Sequence, residues 1–127
     1  MRAKLTYTGI RVRNLRRSVR FYTKLFGMKN LGHFKIKATG GEVVTLKSAK
    51  GESLLELNYY PRSSPYYTKY SVGEGLDHLA FGFSDLGAAI AQARRMGHPV
   101  FKEVKGLTSR WAYIRDPDGI WIEIFQQ

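Results

Sequence analysis

Two carboxylates and one imidazole stand where they could hold a metal ion. Glu56 and Glu123 each lie within a short, alternating apolar segment, and His78 opens another such segment. Because side chains alternate between the faces of a strand, each is predicted to lie on the face opposite its aliphatic neighbours. Charged groups on a concave, partly apolar surface are costly unless compensated, and a divalent cation would compensate them. Two carboxylates with one histidine suit Zn, Ni, Fe or Mn.

Each of these residues also has an ordinary explanation when it is taken singly. Glu56 and Glu123 would then be solvent-facing strand residues, because ionisable side chains are mostly exposed, and His78 would be a hydrogen-bonded core residue. The interpretation as a metal site depends on a coincidence of position. The two glutamates occupy equivalent places in an internal repeat, and His78 begins the second copy of that repeat.

The repeat is visible in the opening segment of each half of the chain. An alternating segment that starts at Tyr7 reaches Asn14 seven residues later, and one that starts at His78 reaches Asp85 at the same spacing. Asn and Asp are favoured helix N-caps, so a helix is expected directly after each. Self-similarity of this kind indicates a duplicated structural unit.

A predicted helix follows each cap. The helices are expected over residues 16–26 and 87–96. Each ends at a glycine, Gly27 or Gly97, the residue best suited to a left-handed C-terminal cap. Val19 and Ile90 are predicted to occupy equivalent buried positions on the two helices.

Three strand-like segments follow each helix and complete the fold prediction. They lie at 30–38, 42–49 and 52–59 in the first half, and at 99–105, 109–115 and 119–126 in the second. Each half therefore reads βαβββ, with turns marked by glycine and proline. We expect an α+β fold in which two βαβββ modules form a curved, cup-like mixed sheet, with the helices on its convex side. The single domain divides into module one at 1–60, a linker at 61–75 and module two at 76–127.

The composition narrows the classes of function. The chain has 127 residues, no cysteine, and 21 Lys and Arg against 10 Asp and Glu, for a net charge of +11. The absence of cysteine excludes thiolate catalysis, disulfides and Cys-based zinc sites. The charge favours a small anionic substrate, although a merely basic surface would look the same, and nucleic acid is not the expected partner. No apolar segment approaches the ~20 residues of a membrane span and no signal peptide is visible, so the expected location is the cytoplasm.

Four segments resemble the glyoxalase/bleomycin-resistance/dioxygenase (vicinal oxygen chelate) superfamily, and within it the lactoylglutathione lyase (glyoxalase I) family. They span nearly the whole chain: Ile10–Lys29, Leu55–Leu57, Asp77–Ala80 and Asp116–Ile124. The resemblance implies a metal-dependent lyase or isomerase that moves a proton next to a carbonyl through a chelated enediolate. It assigns Glu56, His78 and Glu123 as ligands of a divalent ion. Glu123 is the expected base and Glu56 its partner.

The sequence departs from the family pattern at two positions. Tyr7 stands where the family has its first metal ligand, His or Gln, and Tyr60 stands where it has an Asn that binds glutathione. Tyr7 could be a phenolate ligand, a donor to a metal-bound water, or a block that marks a metal-free protein. Arg11 matches the arginine that binds a glutathione carboxylate, although a salt bridge to one of the two glutamates is the alternative. The predicted substrate-binding residues are Arg11, Tyr7, Tyr60 and Lys105.

Other members of the same superfamily supply the alternative functions. A metal-free protein that binds an aromatic or basic drug, as bleomycin-resistance proteins do, is the first, although a charge of +11 disfavours cationic ligands. An epimerase or a dioxygenase is the second. In every case we expect a homodimer, because the sheets leave an extended edge and an apolar rim that a twofold partner would cover.

Overall fold

Each half of the chain folds as a strand, a helix and three further strands. A computed structural model describes residues 1–2, 6–74, 76, 78–106 and 110–127. These residues divide into two units, unit 1 from Met1 to Tyr70 and unit 2 from Ser71 to Gln127. Each unit carries one helix and one four-stranded mixed sheet, which confirms the predicted α+β class and its duplicated arrangement.

Unit 1 places its four strands in the order β1-β4-β3-β2. Its elements are β1 (Thr8–Arg11), α1 (Leu15–Phe26), β2 (Lys29–Ile36), β3 (Gly41–Lys47) and β4 (Leu54–Tyr59). β1 runs parallel to β4, whereas β4 with β3 and β3 with β2 are antiparallel. A parallel pair needs a long crossover connection, and α1 belongs to that connection.

Unit 2 repeats this topology in the order β5-β8-β7-β6. Its elements are β5 (Leu79–Phe83), α2 (Leu86–Arg95), β6 (Phe101–Lys105), β7 (Arg110–Arg115) and β8 (Trp121–Gln126). β5 is parallel to β8, and the other two pairs are antiparallel. Among the residues described, no helix is long and apolar enough to cross a membrane.

Both helices begin at the predicted caps. The Asn14 side chain accepts a hydrogen bond from the backbone N–H of Arg17 at 3.0 Å, and the Asp85 side chain accepts one from Ala88 at 3.0 Å. These bonds satisfy backbone donors that have no partner within the helix. Helix α1 ends at Gly27, whose φ of 65° lies in the left-handed region that favours glycine.

The helices differ in the side chains that they bury. Ile90 is buried on α2 as predicted, but the equivalent prediction for Val19 is wrong, since Val19 is only half-buried and Ser18 is fully buried instead. Tyr22 and Leu25 follow Ser18 at i+4 and i+7, so this stripe of α1 faces the core. The large aromatic side chains of α1 occupy the core and leave Val19 at its margin.

Candidate active site

Glu56 and Glu123 occupy the same place in the two sheets. Glu56 of β4 lies opposite Gly9 of the parallel strand β1, and Glu123 of β8 lies opposite Ala80 of the parallel strand β5. The two glutamates are therefore equivalent in the repeat. Tyr7 lies two residues before Gly9, and His78 lies two residues before Ala80. Tyr7 therefore holds in the first copy of the repeat the position that His78 holds in the second.

His78 and Glu123 are in direct contact on unit 2. His78 Nε2 lies 3.1 Å from Glu123 Oε2, and the two side chains are 31% and 25% exposed. The His78 ring also contacts the Tyr113 ring edge-on, with centroids 5.7 Å apart. This packing, together with the contact to Glu123, restricts how the imidazole can turn. The sheet thus presents one nitrogen and one carboxylate, half-buried and adjacent to each other.

The chemistry of these donors suits a divalent ion. Imidazole nitrogen and carboxylate oxygen are the ligands that zinc, nickel, iron and manganese accept in proteins. In the part of the chain that the structure describes, no three His, Asp or Glu side chains gather into a metal-binding group. The full set of Glu56, His78 and Glu123 therefore stays a prediction, of which His78 and Glu123 meet in unit 2.

On unit 1, Glu56 is half-buried and Tyr7 is 51% exposed. A Cβ added to Gly9 would lie 4.0 Å from Tyr7 Cε2, so the phenol ring lies beside the register partner of Glu56. The same Cβ would lie 3.4 Å from the Asn58 side-chain nitrogen, so the space at Gly9 beside Glu56 is bordered by the Asn58 and Tyr7 side chains.

Arg11 and Tyr60 line one cavity of about 210 Å³ in unit 1. The Arg11 guanidinium donates to the Thr68 hydroxyl and, at 3.4 Å, to the Lys69 carbonyl oxygen. These contacts involve the segment after β4, and no Arg11 ion pair is found among the described residues. Arg13, Arg62, Tyr59, Tyr67 and Tyr70 line the same cavity. Three guanidinium groups around a small cavity suit an anionic group of a ligand.

The Tyr60 ring is held by its neighbours. It stacks on Tyr66 with centroids 6.1 Å apart, and a Cβ on Gly41 would lie only 2.9 Å from its ring carbons. Glycine at position 41 therefore permits the close approach of the ring to β3.

Lys105 is engaged differently from the other predicted substrate-binding residues. Its side chain is 69% exposed, and Nζ lies 3.4 Å from Glu103 Oε1 on the same strand. Glu103 also contacts Arg94 of α2 at 3.6 Å. Lys105 is not among the residues that line the cavity next to His78.

That second cavity, of about 350 Å³, is a feature that the sequence analysis missed. His78, Lys102, Trp111, Tyr113 and Trp121 line it; we call it the aromatic cavity. The Tyr113 ring lies edge-on to Trp111 (5.6 Å) and to Trp121 (6.0 Å). The sequence does contain a signal for this cavity, because Trp111 and Tyr113 alternate with the apolar residues of their strand. In the structure Tyr113 lies directly opposite Glu123 in the sheet.

Comparison with known proteins gives the family. The protein-family model of the Glyoxalase/Bleomycin resistance protein/Dioxygenase superfamily matches residues 4–124 of the sequence. The chain therefore belongs to this superfamily. Within it, the chain is similar to the lactoylglutathione lyase of Escherichia coli O157:H7, at 32% identity over 98% of this chain and 93% of the relative. It is 29% identical to the lactoylglutathione lyase of Schizosaccharomyces pombe, which it matches over 98% of its own length and 47% of that protein. The trypanothione-dependent glyoxalase I of Leishmania major superposes with a TM-score of 0.78 at 29% identity, covering 98% and 87% of the two chains.

Proposed function

We propose that the protein is a glyoxalase I-type, metal-dependent carbon–sulfur lyase. It would act on the thiol adduct of a small dicarbonyl compound and move a proton from the carbon that bears the sulfur to the neighbouring carbonyl carbon. The observation that carries the proposal is the 3.1 Å pair of His78 and Glu123, with Glu56 at the equivalent register position of the other sheet. The names of the lactoylglutathione lyases to which the chain is similar support it.

In this proposal Glu56, His78 and Glu123 hold the divalent ion. The ion would supply Lewis acidity, which lowers the barrier to removing a proton next to a carbonyl. The Glu123 carboxylate takes that proton from one carbon and returns it to the neighbouring carbon. His78 positions Glu123 through their 3.1 Å contact and is itself packed against Tyr113. Arg11 and Tyr60 bind an anionic part of the thiol in the smaller cavity, which the net charge of +11 also favours.

We further propose that the protein is a homodimer in which each site is shared. Glu56 of one chain would face the His78–Glu123 pair of the second chain. The proposal is supported by the equivalent register positions of Glu56 and Glu123 in the two sheets, because a twofold partner can bring equivalent positions of a repeat together. It predicts a particle of twice the 14.5 kDa chain mass in light scattering after size-exclusion chromatography.

Mixing two inactive variants tests the shared site and the reaction together. Glu56→Gln and Glu123→Gln should each be inactive on the hemithioacetal of methylglyoxal and glutathione. After the two are unfolded, mixed and refolded, a shared site restores about a quarter of the parent activity, because half of the dimers carry one intact site of two. If each site belongs to one chain, mixing restores nothing. Refolded parent protein is the control for recovery.

Elemental analysis tests the metal itself. Protein purified without added metal should contain close to one divalent ion per chain, and chelation should remove both metal and activity. A parent protein that neither carries nor binds zinc, nickel, iron or manganese would contradict the proposal.

The second candidate is a metal-free protein that binds an aromatic small molecule. The aromatic cavity beside His78 is the observation that favours it. Binding of an aromatic ligand at equal strength with and without chelator, together with no turnover, would place this function ahead of the lyase.

A further inference from the structure

The aromatic cavity is larger than a three-carbon substrate requires. Its volume of about 350 Å³ falls in the range of cavities that enclose drug-sized ligands. Its walls include three aromatic rings: Tyr113 lies at 82° to Trp111 and at 83° to Trp121. Edge-to-face walls of this kind offer ring faces and edges to another flat group, a contact that stabilises more than the buried area alone.

One ring of the cavity is fixed from outside. The guanidinium of Arg115 lies 4.3 Å from the centroid of the Trp121 ring, and Phe101 contacts the same indole edge-on at 5.5 Å. These contacts hold the ring in place before any ligand enters, so little side-chain entropy is lost on binding. The arginine also adds positive charge at this end of the sheet.

A lysine at the cavity is held there by unusual backbone geometry. Lys102 has a φ of 48°, which only a few per cent of residues other than glycine adopt. It lies at an irregularity of the β6–β7 pairing, between Phe101 and Val104. Bulges of this kind re-aim a side chain and often occur beside functional sites. Here the irregularity carries Lys102 to the wall of the aromatic cavity.

We propose that this cavity binds a planar aromatic substituent on the carbonyl carbon of the substrate, and that Lys102 selects substituents that carry an anionic group. The inference rests on the proposed lyase and names its substrate class. The reacting carbons would lie at His78 and Glu123, since His78 is a wall of the cavity and pairs with Glu123. The aromatic ring would lie among Trp111, Tyr113 and Trp121.

Unreactive ketols allow binding to be measured apart from turnover. We would titrate the protein calorimetrically, in the presence of chelator, with hydroxyacetone, 2-hydroxyacetophenone and 4-(hydroxyacetyl)benzoate. The aromatic ketols should bind at least about tenfold more tightly than hydroxyacetone because of the added ring contacts. The carboxylated ketol should bind about fivefold more tightly than the neutral one, and added salt should reduce this preference. Both tryptophans of the chain line the cavity, so their fluorescence should saturate at the same ligand concentrations.

Variants separate the ring contacts from the charge. Trp111→Leu should weaken both aromatic ketols about tenfold and leave hydroxyacetone unchanged. Lys102→Asn should remove only the preference for the carboxylate, since asparagine tolerates positive φ, whereas Lys102→Arg should keep it. Lys35→Asn makes the same charge change on an exposed position of β2 and should leave all three affinities unchanged.

The failures of this inference and of the proposed function are distinguishable. Equal affinity for the three ketols, or a carboxylate preference that survives in Lys102→Asn, would overturn the inference even if methylglyoxal adducts are turned over. A clear preference for the carboxylated aromatic ketol that disappears in Lys102→Asn supports the substrate class, and the metal and turnover measurements then decide separately whether the site is a lyase.

Discussion

Replacing Glu123 by glutamine should separate catalysis from stability. The amide keeps the shape of the side chain and removes the charge that pairs with His78 at 3.1 Å. Because both side chains are partly exposed, the pair should contribute up to about 1 kcal/mol to the free energy of unfolding. For a chain of this length that loss lowers Tm by roughly 3–5 °C. Activity should fall far more, by about 10²–10⁴-fold, because the amide cannot accept the substrate proton.

Glu103→Gln is a matched control for this variant. Glu103 is also a strand residue of unit 2, its side chain is 24% exposed against 25% for Glu123, and it pairs with Arg94 and Lys105. Its Tm should fall by a similar few degrees, with kcat/KM unchanged. Thermal unfolding and initial rates on the methylglyoxal–glutathione adduct measure both quantities. If Glu123→Gln keeps kcat/KM within about threefold of the parent, Glu123 is not the base and the proposed mechanism is wrong.

Three further predictions follow from the placement of single side chains. Tyr7→His should raise the affinity for zinc in calorimetric titration, while Tyr7→Phe should change it little, because a phenol must lose its proton before it binds a metal. If Tyr7→Phe instead abolishes zinc binding, Tyr7 is a phenolate ligand. Ile122→Ala should lower the free energy of unfolding, measured with urea, by about 2–5 kcal/mol because Ile122 is fully buried. Ile36→Ala, at an exposed position of β2, should lower it far less. Equal losses in the two variants would contradict this assignment of the core. Burial lowers the pKa of His98 below its usual 6.5, so the unfolded chain binds the proton more readily and stability should fall as the pH drops through that value; in His98→Asn this part of the pH dependence should be missing.

The repeat made the fold predictable from the sequence. Two segments with the same spacing from strand start to helix cap indicated two βαβββ units, and the Asn14 and Asp85 caps are where the sequence placed them. Strand boundaries were less certain, because propensity fades gradually at strand ends. The burial of Val19 was mispredicted because the large side chains of α1, such as Tyr22, decide which helical stripe enters the core, and the repeat alone does not contain that information.

Only those features of the site that depend on the alternation of side chains along a single strand were predictable from the sequence. Alternation placed Glu123 opposite the aliphatic face, but the aromatic cavity depends on which residues of β7 lie beside which residues of β8. That register brings Tyr113 next to Glu123, and it is fixed by the pairing of the strands. The place of Lys102 at the cavity was not predictable for a related reason. An irregularity in the β6–β7 pairing changes the face of the sheet on which a residue lies, and Lys102 has a positive φ without being a glycine that would signal it.

The same strands serve the core and the cavity with opposite faces. Ile114 and Ile122 are buried on one face of β7 and β8, while Tyr113 and Trp121 line the cavity on the other. Because alternation separates the two sets, the cavity side chains can change without removing core contacts, provided that the register stays the same. Ligand preference in this cavity should therefore be adjustable at small cost in stability through Trp111 and Trp121. Tyr113 should be kept, because its ring packs against His78 and helps to hold the contact between His78 and Glu123.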